Sequence, residues 1–440
     1  MSREKPNILF LFTDDQRFDT IRALGNEDLI TPNLDRLVEE GTTFTQASIM
    51  GGTSGAVCMP SRAMLMTGRT LFHLEGEGQS IPETHAMLPE MLQGEGYKTF
   101  GTGKWHNGRS AFARGFDYGD RIFFGGMSDH FKVPLNPFDD TGNYPEDRIY
   151  HEVKSHSSDL FSGAVIDFIR SYDEPNPFFA YVSFTAPHDP RDTHPEFHAM
   201  YDPEKVELPP NCYDVHPFDN GELEIRDEML APFPRTSEVV REHLAAYYAM
   251  ISHIDRQVGE ILRALEETGQ IDRTLIVFAG DNGLAVGQHG LMGKQNLYEH
   301  SVRVPLVFKG PGIPRNERRS AYCYLIDIFP TLLELIDAAI PESVEGLSLV
   351  GSMRDGSESV REGLLYAYKG LHRSAKQGEH KLIEYSVDGV RTTQLFNLAS
   401  DPWEMKNLAE APGHEDRISR LRGEMERWRT ELDDSTDFWS

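Results

Sequence analysis

The chain is predicted to be an α/β protein with a large, mostly parallel sheet flanked by helices and a smaller C-terminal antiparallel sheet plus helix. Three observations predict this. Continuous apolar runs such as Asn7–Phe12 and Thr274–Ala279 have the composition of strands buried on both faces of a parallel sheet. Helical patterns alternate with such runs to about residue 340, the order of a parallel sheet. After that, short strand candidates separated by turn residues take over, so residues 1–344 read as the main α/β domain and 345–440 as a small α+β subdomain.

Taken in order, Asn7–Phe12 is the first buried strand, ending at Thr13-Asp14-Asp15. Thr31-Pro32 opens a helix through Glu40, because proline at a first helical position loses no hydrogen bond, and Gly41 closes it. A loop of small residues, Gly51 to Gly55, leads to Cys58-Met59-Pro60-Ser61-Arg62. Pro60 suits a first helical turn, Ala63–Met66 continue the helix and Gly68 stops it, which places Cys58 just ahead of a helix N-terminus, where amides and the helix dipole favour an anion. Leu88–Gly94 reads as a helix and Tyr97–Gly103 as a strand delivering Lys104-Trp105-His106. Residues 109–157 lack periodicity and read as an irregular insertion. Helix Asp159–Ser171, strand Phe178–Phe184 and then Pro187-His188 follow. A second irregular stretch runs from Arg191 to about Thr236. Glu238–Thr268 is one long amphipathic helix or a helix pair. Thr274–Ala279 ends at Gly280-Asp281-Asn282, and Val304–Phe308 is a further strand. Gly363–Tyr368, Lys381–Tyr385 and Gln394–Phe396 form the small sheet, with a charged helix from Glu415 to Leu432.

Composition narrows the function. The 440 residues carry a net charge of −27, which argues against a nucleic-acid partner, since a phosphate backbone needs a basic face. An anionic substrate would then require a local cationic pocket. Three cysteines, Cys58, Cys212 and Cys323, make no disulfide framework. No apolar run reaches the roughly 18 residues of a membrane span, and Met1 to Pro6 lead straight into a strand. The expectation is a cytoplasmic protein with no membrane partner, or a periplasmic one if a leader has been removed.

Four strand ends deliver polar groups. Asp14, Asp15, Asp281 and Asn282 offer hard oxygen donors, a set suited to Ca²⁺ or Mg²⁺ rather than zinc. Arg62 lies one turn beyond Cys58 and can face the same site. Lys104 and Lys294 each follow a glycine, Gly103 and Gly293, which permits close approach to a ligand. His106 and His188 follow apolar strands and suit proton transfer near neutral pH. Arg109, Arg114, His130, Arg148, Arg191 and His194 lie in the irregular stretches and are candidates for reading substrate carboxylates or hydroxyls.

Cys-x-Pro-Ser-Arg followed by Leu-x-Thr-Gly-Arg resembles the signature of the type I, formylglycine-dependent sulfatases of the alkaline-phosphatase-like superfamily. Asn-Ile-Leu-x-x-x-x-Asp-Asp, Gly-Lys-Trp-His, Pro-His, Asp-Asn-Gly, Gly-Lys-Gln-Asn-Leu-Tyr-Glu and Leu-Phe-Asn-Leu-x-x-Asp-Pro-x-Glu extend the resemblance over most of the chain. It implies that Cys58 is oxidised to formylglycine by a formylglycine-generating or anaerobic sulfatase-maturating enzyme. The hydrated aldehyde then presents two hydroxyls, one to attack sulfur and one to let sulfate depart. The resemblance further implies a divalent cation, usually Ca²⁺, held by Asp14, Asp15, Asp281, Asn282 and the modified Cys58. Arg62 would hold the diol, Lys104, Lys294 and His188 would bind sulfate, and His106 would be the base. His188 or His289, in Gly-Gln-His-Gly, would be the general acid. The expected activity is removal of sulfate from a sulfated carbohydrate. A phosphonate or phosphate mono- or diester hydrolase, an aryl sulfatase, and a non-catalytic binding protein with an unmodified cysteine are the competing readings.

Overall fold

The computed structural model describes residues 5–439. Met1 to Glu4, part of the lead into the first strand from which location was read, lie outside the described residues. Two sheets organise the chain. The larger contains β1 (Asn7–Thr13), β2 (Thr42–Ser48), β4 (Lys98–Lys104), β5 (Tyr118–Phe123), β6 (Phe178–Ser183), β7 (Thr274–Gly280), β8 (Leu306–Lys309) and β9 (Glu317–Tyr324). Their order across the sheet is β5-β4-β6-β1-β7-β8-β2-β9. The smaller sheet runs β13-β12-β11-β10-β3, where β3 is Gly51–Gly52, β10 Gly363–Tyr368, β11 His372–Gln377, β12 His380–Val387 and β13 Val390–Asn397.

The central strand β1 is buried along its whole length because alternate side chains serve two cores. Ile8, Phe10 and Phe12 face the layer that holds the Cys58–Thr67 helix. Leu9 and Leu11 face the layer of the long Ser237–Glu267 helix, through Ile254, Val258 and Ile261. This two-sided burial is the reason the strand reads as unbroken apolar sequence. The helix-pair alternative for 238–268 resolves as one 31-residue helix, capped by the Thr236 side chain at the Val239 amide.

Several expectations change in detail. The strand read at 304–308 begins after Pro305 and runs antiparallel to both neighbours, the one reversed strand of the larger sheet. The stretch 109–157 is not wholly irregular: it holds the Arg109–Gly115 helix and edge strand β5. Cys58 is itself the first residue of its helix rather than the residue before it. Finally, β3 pairs in parallel with β10, Gly51 opposite Ala367, so the loop before Cys58 is stitched to the C-terminal sheet. Gly51 is required there: its φ is +110°, and a Cβ would sit 2.0 Å from the Ala367 carbonyl oxygen.

Register alone assembles the next layer. β1, β4, β6 and β7 are mutually parallel, with Thr13 opposite Gly280, Phe12 opposite Ser183 and Gly103 opposite Ser183. The residues that follow these strands therefore emerge side by side at their C-terminal edge, where open α/β sheets place their ligands.

Candidate active site

Asp14 and Asp15 leave β1, Asp281 and Asn282 leave β7, Lys104 ends β4, and the Cys58 helix lies across them. Arg62 reaches down from that helix, fully buried. Its Nε and Nη2 lie 2.9 and 2.8 Å from Asp281 Oδ2, and Nη1 donates to Ser183 Oγ. Lys104 Nζ sits 2.6 Å from Asp14 Oδ2, 2.6 Å from the Gly126 carbonyl and 3.4 Å from Cys58 Sγ. Lys294 Nζ donates to Asp15 Oδ1, which also accepts from Asn282 Nδ2 at 2.7 Å. Asp15 adopts φ +66° and is fixed by its amide, which donates to Asp281 Oδ1 at 3.0 Å, and by Tyr247, whose hydroxyl donates to its carbonyl.

The histidines flank this cluster. His106 Nδ1 lies 3.5 Å from Cys58 Sγ. His188 Nδ1 lies 2.8 Å from the Asp189 carbonyl, which only accepts, so Nδ1 carries the hydrogen. Nε2 is thereby turned to the site, 3.7 Å from Asp15 Oδ2. A cavity of about 330 Å³ opens above Cys58, lined by His106, His188, Lys294 and Gln295 together with Met127 and Arg226.

Three carboxylates face three fixed cations here, and their titration follows from that. Burial opposes the charge of Asp14, but Lys104, His188, Arg62 and Lys294 hold its carboxyl well below the usual range. Burial and the charge of Asp14 push Asp281 up to about 7. Burial alone would discharge Lys104 and Lys294; Asp14 beside the first and Asp15 beside the second reverse that. Burial, reinforced by Lys104 and Arg62, holds His106 down at about 3, so its ring is neutral. Burial also pushes the Cys58 thiol up, against Lys104 and Lys294.

The donors fit a hard divalent cation. Asp14 Oδ1, Asp15 Oδ2 and Asn282 Oδ1 are buried and lack hydrogen-bond partners, a cost of about 1–3 kcal/mol each that a cation would remove. Ligand atoms of Asp14, Cys58 and Asp281, and those of Asp14, Asp15 and His188, lie within 4.8 Å of one another. All-oxygen donation from carboxylates and an amide is the chemistry of Ca²⁺ or Mg²⁺.

Of the residues read from sequence, Cys58, Arg62, Lys104, His106, His188, Lys294, Asp14, Asp15, Asp281 and Asn282 come together. His289 does not. Its ring stacks on Tyr298 at 3.9 Å and its Nε2 lies 3.0 Å from Asn211 Nδ2, with none of its described contacts in the Cys58 group. Gly103 and Gly293 also serve a purpose other than the expected one. A Cβ on Gly103 would lie 1.9 Å from the Ser183 carbonyl oxygen, and one on Gly293 would lie 2.4 Å from Gln295 Oε1, so the close approach is to the protein itself. None of the six candidate readers from the irregular stretches lines the cavity; Arg109, for one, donates to the Tyr144 carbonyl. Arg226 lines it instead, held by Asp189 at 2.7 and 3.0 Å and by Asp227 at 2.6 Å. Its only sequence signal was position within the 191–236 stretch.

Carboxylates and cations converging at parallel strand ends on a helix-borne cysteine make a site suited to a divalent cation and an anionic ester. The sulfatase family model matches residues 6–338, and the model for the N-sulphoglucosamine sulphohydrolase C-terminal region matches 287–431. An arylsulfatase of Clostridium perfringens is 29% identical over 462 residues, covering 95% of this chain and 93% of its own. An ulvan-active sulfatase of Formosa agariphila is 29% identical over 455 residues, covering 98% and 82% respectively. A solved structure described as a complex with its substrate D-glucosamine-2-N,6-O-disulfate superposes with TM-score 0.83 at 23% identity, covering 98% of this chain and 99% of that one. The chain belongs to the sulfatase family, within the alkaline-phosphatase-like superfamily. It is accordingly an enzyme, a sulfuric ester hydrolase. Among the described residues, no helix is long and apolar enough to cross a membrane.

Proposed function

We propose that this enzyme removes sulfate from a sulfated carbohydrate, using a formylglycine made from Cys58 and a Ca²⁺ ion held by Asp14, Asp15, Asp281 and Asn282. One observation carries the reading: at the foot of one cavity Cys58 Sγ lies 3.4 Å from Lys104 Nζ and within 4.8 Å of carboxylate oxygens of Asp14 and Asp281, in a cluster where buried oxygens of Asp14, Asp15 and Asn282 lack hydrogen-bond partners. The thiol itself is a poor nucleophile, because burial keeps it protonated and thiolate character is what makes a cysteine reactive. Oxidation by a formylglycine-generating or anaerobic maturating enzyme would supply a hydrated aldehyde there, with one hydroxyl to attack sulfur and a second to release the bound sulfate. The cation, when bound, supplies charge that polarises the nucleophile and the ester oxygens.

The chain's own residues do the rest. Lys104 and Lys294 hold the sulfate oxygens, and their charge counters the charge that develops on the transferring group. Arg62 fixes Asp281 and, with it, the carboxylate geometry. Neutral His106, next to position 58, accepts a proton from the hydroxyl there. His188, whose Nδ1–H is anchored on the Asp189 carbonyl, would have to carry a second proton, on Nε2, to act as the general acid; it gives that proton to the departing alcohol and is left as the Nδ1–H imidazole. Among the described lining residues there is no Phe, Tyr or Trp to stack on an aryl group, and Arg226, Asp227 and Gln295 bring polar side chains beside Met127 and Ile225. The ulvan-active relative and the matched sulphohydrolase C-terminal region favour a sugar.

The test pairs two measurements. Mass spectrometry of the peptide containing Cys58 from the native host reads the oxidation directly. Sulfate release is then followed on defined sulfated mono- and disaccharides, with an aryl sulfate and a phosphodiester as counter-substrates. Conversion of Cys58 and highest kcat/KM on a sugar sulfate are expected. An intact thiol in fully active protein, or faster turnover of the phosphodiester, would overturn the proposal.

A further inference from the structure

A second cluster of metal-ligating side chains lies outside the catalytic cavity. Asp159 sits in the first turn of the Ser157–Ser171 helix, His194 immediately precedes the short Pro195–His198 helix, and His253 lies on the Ser237–Glu267 helix. His194 Nε2 is 2.7 Å from Asp159 Oδ2, and His253 Nε2 is 2.8 Å from Asp159 Oδ1. One ligand atom from each residue lies within 4.8 Å of the other two. We propose that Asp159, His194 and His253 form a site for a divalent transition-metal ion such as Zn²⁺, distinct from the oxygen-rich catalytic cluster.

The chemistry of the donors separates the two sites. Two imidazoles and one carboxylate suit Zn²⁺ and its neighbours in the first transition row, whereas carboxylates and an amide suit Ca²⁺ or Mg²⁺. The surroundings have the supports a metal site needs. His253 is buried, its ring stacked on Phe197 at 4.4 Å, and its second nitrogen, Nδ1, lies 2.8 Å from Thr193 Oγ1. Gln257 Nε2 donates to Asp159 Oδ1 at 2.7 Å. Such partners orient metal-binding rings and carboxylates. The trio opens on a cavity of about 470 Å³, so water or another small ligand can complete the coordination.

Binding needs no oxidant or reductant. In the metal-free arrangement each Nε2–H donates to Asp159. A ring that binds as the neutral imidazole carries its hydrogen on Nδ1 and turns the Nε2 lone pair to the metal, and His253 Nδ1–H then donates to Thr193 Oγ1. Ligand and metal charges change only by the ion added.

The test uses the full-length protein in excess Ca²⁺, which occupies the oxygen-rich cluster, equilibrated with Zn²⁺ and freed of unbound metal. The wild type should retain about one Zn²⁺ per chain, and His194→Ala should retain about a tenth of that or less. His194 is 31% exposed, so this variant is expected to fold. His194→Cys keeps a ligand at the position, and with Co²⁺ it should gain a thiolate-to-cobalt charge-transfer band that the wild type lacks. No Zn²⁺ retained by the wild type, equal retention by His194→Ala, or the absence of the Co²⁺ band in His194→Cys would overturn the proposal. Loss of the Zn²⁺ in Asp14→Asn would overturn it too, by placing the ion in the catalytic cluster.

Discussion

Gly103→Ala tests how the sheet holds Lys104, the proposed sulfate-binding lysine. Gly103 has φ +88°, and a Cβ there would lie 1.9 Å from the Ser183 carbonyl oxygen and 2.8 Å from its carbon. Ser183 is its register partner on β6, so the new methyl group cannot be accommodated by rotating a side chain; the two strands must part. Left-handed backbone costs alanine about 1–2 kcal/mol, and forcing extra volume into a packed interior adds about 1–3 kcal/mol, a total of about 2–5 kcal/mol. The next residue is Lys104, so the shift also moves Nζ away from Asp14 and Cys58 and should lower kcat at least tenfold, as a misplacement of about 1 Å does. Gly25→Ala separates the two contributions. Gly25 has φ +110°, and a Cβ there would meet nothing within 4 Å, so that variant should lose only the backbone cost, about 1–2 kcal/mol, and keep full activity. Urea denaturation and sulfate release read both variants. Equal stability losses for Gly103→Ala and Gly25→Ala, or an unchanged kcat in Gly103→Ala, would refute the packing argument.

Other outcomes follow from the site. Cys58→Ala should abolish turnover while leaving the circular dichroism spectrum and cooperative melting intact, since it removes one sulfur from a helix that is otherwise unchanged; retained activity would remove Cys58 from the chemistry. Arg62→Met leaves Asp281 and Asp14 without their buried guanidinium and should cost about 3–5 kcal/mol in a denaturant titration at neutral pH. Chelation of divalent metal should lower both activity and Tm, with Ca²⁺ restoring both, because it re-exposes three buried oxygens to one another without a partner; an unchanged Tm would count against the fit. Arg226→Gln should weaken the fold by about 1 kcal/mol, given its half-exposed ion pairs. Asp189 is held down at about 2 by His188 and Arg226 against the effect of burial, so its contribution is present above its ordinary value near 3.8 and is lost as pH falls through about 2. The gap between wild type and Arg226→Gln should accordingly narrow between pH 4 and pH 2, about the window set by those two values.

What could be read from sequence was what burial writes into it. Strands β1, β6 and β7 are covered on both faces, so their side chains are apolar without interruption, and the polar residue that ends each run marks the sheet's C-terminal edge. The grouping of polar residues around Cys58 was legible for that reason, together with the spacing around Cys58. Strand β2, Thr-Thr-Phe-Thr-Gln-Ala-Ser, and strand β9, Glu-Arg-Arg-Ser-Ala-Tyr-Cys-Tyr, lie toward one side of the sheet and carry polar residues that conceal the strand. Strand β3 is two glycines, with no side chain to show a pattern; only its partner β10 makes it a strand. Arg226 stands in a stretch without periodicity, and its place at the cavity depends on tertiary contacts with Asp189 and Asp227 that no local pattern encodes. His289 was grouped with the site because its sequence context resembled a catalytic one, whereas its ring stacks on Tyr298 and none of its described contacts falls in the Cys58 group.

The pairing of Gly51–Gly52 with β10 also bears on when Cys58 can be chemically altered. Cys58 is 3% exposed and heads a helix in which every residue is buried, so the oxidation proposed above would require the modifying enzyme to reach this segment before it is packed. The strand that pins the preceding loop, at Ala367 and Tyr368, is synthesised more than three hundred residues later. The pairing that fixes this loop therefore cannot form until most of the chain has been made.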